Sequence, residues 1–88
     1  MEINKAEKLL KALANRRRLK TLAYLRKNGK ASVGELSDYL KLSFKSTSKH
    51  LLALKVADLV ESEQVGLTRF YFLVQPLDPL VKLLLASF

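Results

Sequence analysis

The residues best equipped for chemistry fall in one short stretch, 43–55, which reads Ser-Phe-Lys-Ser-Thr-Ser-Lys-His-Leu-Leu-Ala-Leu-Lys. Lys45, Ser46, Ser48, Lys49 and His50 bring together ammonium groups, hydroxyls and the only imidazole of the chain. One chemistry open to such a set is nucleophilic catalysis. It needs a base that faces the hydroxyl and a carboxylate that orients the base. Ser46, Ser48 and His50 have the residue types of nucleophile and base, but no carboxylate orients the histidine locally, and i, i+2 positions such as Ser48 and His50 do not face each other on a helix. No enzyme is expected. The other chemistry is groove recognition. A helix whose first turns enter a DNA major groove needs short donors and cations there. Serine and threonine are poor helix-interior residues, so crowding them into two turns suits such a role. With one histidine and no cysteine, neither a thiolate site nor a His-based metal site is expected, and no cofactor is implied.

The stretch must be held by its neighbours. Thr47, Leu51 and Leu54 recur at i, i+4, i+7 and should point inward, leaving Lys45, Ser46, Lys49 and His50 outward and Ser48 at the border. Leu51, Leu52 and Leu54 should anchor the second half in a core. Phe44 either anchors the turn or meets a base methyl. Upstream, residues 3–14 form an amphipathic pattern through Ile3, Ala6, Leu9, Leu10 and Leu13. Asn15 can cap a helix over 16–28, ended by Asn28-Gly29. Arg16, Arg17 and Arg18 open that helix at its positive end, so at least one of them needs a carboxylate or phosphate partner. Ser32 and Glu35 form a capping box for a third helix, buried through Val33, Leu36 and Leu40. A short link, 41–43, then leads into the helix 43–55, with Ser43 as its cap. This is helix-turn-helix spacing.

After Ala57-Asp58 the period changes from helix to strand. Residues 59–74 read as a β-hairpin around Val65-Gly66-Leu67. Asp78 and Pro79 suit the start of a last helix, 79–88. Leu80, Val81, Leu83, Leu84, Leu85 and Phe88 give it more apolar surface than one face can bury, which marks an interface, most simply between two copies, the alternative being a tail folded across its own core. Leu9, Leu10, Leu80, Leu83 and Leu84 are the expected contact residues. The reading is one domain over 1–88, mainly α with a small β-hairpin, ordered ααααββα.

The charge points to the partner. The net charge is +8 and the pI about 10.0. Residues 1–30 hold ten Lys or Arg against two Glu, which accounts for the whole excess. A polyanion is the natural match. Single-stranded RNA usually needs an exposed aromatic platform, and alternation should bury at least one of Phe70, Tyr71 and Phe72. No apolar run reaches membrane-span length, and Met-Glu-Ile-Asn-Lys is not a signal peptide, so a cytoplasmic, nucleoid-associated protein without a membrane partner is expected.

Several segments together resemble the ArsR-type family of winged helix-turn-helix regulators. Ala12-Leu13-Ala14-Asn15-Arg16-Arg17-Arg18-Leu19-Lys20-Thr21-Leu22 is similar to that family's "ALADPTRLRIL". Glu35-Leu36, Leu40-Lys41-Leu42-Ser43 and Ser46-Thr47-Ser48-Lys49-His50-Leu51 resemble its "ELAEALGLSQSTVSRHL". Gly66 with Arg69-Phe70-Tyr71-Phe72-Leu73 looks like its wing, "EGRWVYYRL". The resemblance runs from residue 9 to 74. It implies a homodimeric repressor that reads a palindromic operator in double-stranded DNA. It places Lys45, Ser46, Ser48, Lys49 and His50 in the major groove and Thr68 and Arg69 on the wing. Ser43, Arg16 and Arg18 are secondary backbone candidates. The chain departs from the family at its thiolate sensor, whose two cysteine positions are Ser32 and Gly34 here. The last helix lacks the His and Glu of the family's other metal site. No metal sensing is expected. Phe44 and Lys45 also replace the family's usual residues. The alternative is a winged-helix module that binds protein and not DNA.

Overall fold

The computed structural model describes residues 1–88. It runs α1 (Ile3–Leu13), α2 (Arg16–Asn28), β1 (Lys30–Ser32), α3 (Val33–Leu40), α4 (Phe44–Val56), β2 (Val60–Val65), β3 (Thr68–Leu73) and α5 (Pro79–Ala86). The helix starts follow from their caps. The Asn15 side chain accepts from the backbone N–H of Arg17 and Arg18. Ser32 and Glu35 form the reciprocal capping box. Ser43 accepts from Ser46 N–H, and Asp78 from Leu80 N–H. Each cap satisfies donors that the first helical turn leaves without a partner.

The core gathers residues from every helix. Leu9 and Leu13 of α1, Leu22 and Leu25 of α2, Leu36 of α3, Leu51 and Leu54 of α4, and Val81 and Leu85 of α5 are all buried. Thr47 is fully buried too, its hydroxyl donating to the Ser43 carbonyl at 2.9 Å. The face of α4 that carries Thr47, Leu51 and Leu54 is therefore its inward face, as the spacing requires. Leu52 departs from expectation. It lies about a quarter turn away from that face and is 62% exposed. Leu51→Ala should cost about 2–5 kcal/mol of stability, the usual cost of emptying a closed leucine site. A chemical denaturation curve checks this, and Leu52→Ala serves as the near-neutral control.

The winged helix-turn-helix fold is as expected, and the sheet adds one strand to the ααααββα order. The sheet has three antiparallel strands in the order β1-β3-β2, because Lys30–Ser32 adds to β3. Lys30 pairs with Phe72, Ala31 with Tyr71 and Ser32 with Phe70. Ala31 is fully buried there. Lys-Ala-Ser has little β propensity of its own. The ladder on β3 makes it a strand, after Gly29 at φ 86° has turned the chain out of α2. The hairpin from β2 to β3 closes through Gly66 and Leu67, with Val65 paired to Thr68. Gly66 sits at φ 61°, the positive angle a two-residue hairpin turn needs at its first position.

Candidate nucleic-acid interface

The N-terminal half of α4 packs on the core through Thr47 and turns its opposite face to solvent. Phe44, Lys45 and Lys49 are exposed, and Ser46, Ser48 and His50 are half-buried beside them. Phe44 is 63% exposed and so does not anchor the turn. Neither lysine takes part in an ion pair, since the only two are Lys11–Glu7 and Lys30–Glu63. Ser43 is not a free group. Its hydroxyl caps the helix and also donates to the Ser46 hydroxyl at 3.0 Å. The Ser46 proton remains available, and Ser48 makes no side-chain hydrogen bond within the chain. The head thus offers two ammonium groups, two hydroxyls and an imidazole to an outside partner.

The arginine run divides. Arg17 and Arg18 lie close enough to His50 for both charges to act on it. Arg16 instead lines a groove with Leu19, Tyr39 and Phe88, away from α4. Arg17 is the residue that sequence reasoning misses. Its proximity to His50 depends on how α2 crosses α4, which local spacing does not carry. Arg18 has no carboxylate partner. Its Nη1 donates to the Ala12 carbonyl at 3.5 Å, a long contact. Its Nε is the one buried polar side-chain atom without a hydrogen bond.

On the hairpin, strand alternation separates Thr68 from Arg69. Arg69 shares a face with Ser62, Gln64 and Tyr71, and with buried Val60 and Leu73. Its Nη1 donates to Ser62 Oγ at 2.8 Å. Lys55, at the end of α4, reaches the same oxygen at 3.4 Å. Two cations therefore converge on one neutral hydroxyl. Thr68 is on the opposite face with Phe70 and Phe72, where Lys30 stacks over the Phe70 ring at 5.0 Å. Only Arg69 of the pair looks toward the α4 side of the sheet. The period-2 pattern is the signal that separates the two.

The expected contact leucines also sort differently. Leu9 is 8% exposed and belongs to the core of its own chain, which removes it from the set. Leu84 is partly buried against that core. Leu10, Leu80 and Leu83 remain outward, with Ile3 and Phe88 also exposed. No three His, Asp or Glu side chains come together. No helix is long and apolar enough to cross a membrane.

Burial holds the His50 imidazole below its ordinary pKa of 6.5, and the charges of Arg18 and then Arg17 add to this. The sign follows from linkage. The unfolded chain takes up the proton first as pH falls. The stability tied to neutral His50 is complete above pH 6.5 and is lost as pH drops through the lower folded value. Thermal melts from about pH 7.5 to 5 should therefore show a decline that His50→Gln reduces. An unchanged decline in the variant would contradict the lowered pKa.

Comparison with known proteins agrees with this architecture. The family model for bacterial regulatory proteins of the arsR family matches residues 15–62. The transcriptional activator HlyU of Vibrio cholerae is 48% identical over 69 residues, 78% of this chain. That match covers 63% of the activator's length, so the chain spans less than two thirds of it. A solved structure of HlyU from Vibrio cholerae superposes with a TM-score of 0.82 at 43% identity, covering 99% of this chain and 92% of that one. The homodimeric winged helix-turn-helix DNA-binding domain of Mb0332 from Mycobacterium bovis gives 0.81 at 28% identity, over 97% and 75% of the two chains. The transcriptional repressor BigR from Xylella fastidiosa gives 0.81 at 29%, over 97% and 84%.

Proposed function

The chain belongs to the arsR family of bacterial regulatory proteins, DNA-binding winged-helix regulators of transcription, and we propose that it acts as a homodimer that reads a palindromic operator. The observation that carries this reading is the head of α4, where Lys45 and Lys49 are exposed with no charge partner in the chain and half-buried Ser46 and Ser48 lie beside them. A solvated protein face gains nothing from cations and poor helix-forming serines crowded into a helix start. A helix entering a major groove does.

In this reading Lys49 and Lys45 meet guanine edges or phosphates. Ser46 and Ser48 donate to bases or backbone, and Phe44 can lie against a thymine methyl. His50 sits at the edge of the contact, with Arg17 and Arg18 behind it. Arg69 lies along the backbone from the wing, while Thr68, on the outer face, contributes less. The lysines of the N-terminal third add attraction without sequence preference. Two copies joined through α1 and α5 would set their α4 helices about 34 Å apart, one turn of DNA. The homodimeric DNA-binding relative from Mycobacterium bovis supports a pairing of two copies.

Repression is the simplest output, because occupancy of a promoter is enough for it. The repressor named among the similar structures favours it, whereas the Vibrio relative carries the name of an activator. Signalling by a metal is not part of the reading. The hydroxyl of Ser32 is engaged by Glu35 N–H, and Gly34 has no side chain to ligate with.

Titration of a labelled duplex across a range of salt concentrations tests DNA binding. The logarithm of affinity should fall linearly with that of salt. Arg69→Ala should reduce the steepness of that fall by about one for each phosphate the guanidinium no longer neutralises. No binding at low salt would favour a module that contacts protein alone.

A further inference from the structure

We propose that the groove between α1 and α4 is an effector site for an anionic amphiphile, a small carboxylate carrying an alkyl chain. Its release of DNA rests on the DNA-binding reading above; its binding to the groove does not.

The groove is a shallow, open one of about 410 Å³, of a volume that small-molecule sites also have. Lys8 and Lys11 of α1, Arg18 of α2 and Lys49 of α4 surround it, and no acidic residue lines it. Between the cations lies an apolar floor of Leu52, Val56 and three alanines. Leu52 and Val56 are 62% and 65% exposed, so water covers two large aliphatic side chains on a surface that is otherwise cationic. The Lys11–Glu7 pair is an exposed 3.9 Å contact on the helix surface, too weak to hold Lys11 away from an anion.

Two independent features call for a ligand with a head and a tail. The first is Arg18. Its Nε is buried without a partner, and its one hydrogen bond is the long contact to Ala12. Its charge has no carboxylate counterpart within the chain, and at the rim of the groove a ligand carboxylate supplies one. The second is the floor. A phosphate or a nucleic-acid backbone would leave Leu52 and Val56 wet. An alkyl chain would cover them, and removing apolar surface from water is favourable in proportion to its area. The head group reaches Lys49, which also belongs to the proposed reading surface. An occupant therefore takes Lys49 from the DNA and adds a negative charge beside it. Effector and operator compete through a shared cation, with no change of fold.

Decanoate is the probe, below its micelle concentration, with decanol and inorganic phosphate as controls for tail and head alone. Amide shifts of the labelled protein should move in α1 and the second half of α4. Decanoate should bind at least about tenfold more tightly than either control and should release a bound duplex. The variant Leu52→Gln/Val56→Gln changes no charge and no core residue. It should bind duplex within about twofold of the parent and lose at least about tenfold in decanoate affinity. Equal binding of decanol or of phosphate would overturn the proposal. So would undiminished decanoate binding by the variant, or shifts confined to another surface. If decanoate bound the groove while no duplex bound the protein, the ligand site would stand and the DNA-binding reading would fall.

Discussion

Lys49→Glu should weaken binding to a duplex operator by at least about thirtyfold while the fold stays intact. Lys49 is exposed on the outward side of α4 and makes no ion pair or hydrogen bond inside the chain. Its replacement should therefore change stability by no more than about 0.5 kcal/mol, as surface substitutions usually do. On DNA the same change removes a cation from the groove and sets a carboxylate among phosphates. A good base contact is worth about 1–3 kcal/mol of discrimination. A dimer makes it twice, so about 2–6 kcal/mol is at stake across two half-sites. Fluorescence anisotropy with a labelled duplex measures the affinity, and a thermal melt shows whether the fold survives. Affinity within about threefold of the parent would mean that the head of α4 does not read DNA.

The second large effect should come from Leu80→Glu combined with Leu83→Glu. Both leucines are outward on α5, 46% and 73% exposed in the single chain. Their replacement leaves the core beneath, Val81 and Leu85, untouched. Carboxylates placed on facing copies of α5 would be buried without partners, and a buried unpaired charge is not tolerated. The variant should sediment as a monomer. Its affinity for a two-half-site operator should fall by about 10²–10⁴, because the second half-site is no longer held at a high effective concentration. Affinity for a single half-site should barely change. A variant that remains dimeric would place the interface elsewhere, with Leu10 and Ile3 of α1 the next surface to alter.

Much of this architecture is legible in the sequence because its signals are local. Asn15, Ser32 with Glu35, Ser43 and Asp78 each announce a helix start, since a cap acts within about three residues of itself. The inward face of α4 is readable for the same reason, as Thr47, Leu51 and Leu54 carry the period. What local signals do not carry is long-range. Lys30–Ser32 becomes a strand only because β3 passes beside it. Leu9 is core and not interface, because α1 turns that residue toward its own chain. The approach of Arg17 and Arg18 to His50 is set by the crossing of two helices. Thr68 and Arg69 are adjacent in sequence and opposite in space. The alternation is visible in the sequence, but which face turns toward α4 is not.

The most direct measurement is selection of bound sequences from a random duplex pool by the intact protein. The proposed function predicts a palindromic winner whose half-sites are separated by about one helical turn, roughly 10–10.5 base pairs centre to centre. The same selection with Lys49→Glu should lose that winner. Enrichment of an asymmetric site, of no site at all, or of the same palindrome by the variant would contradict the claim that paired α4 helices read DNA.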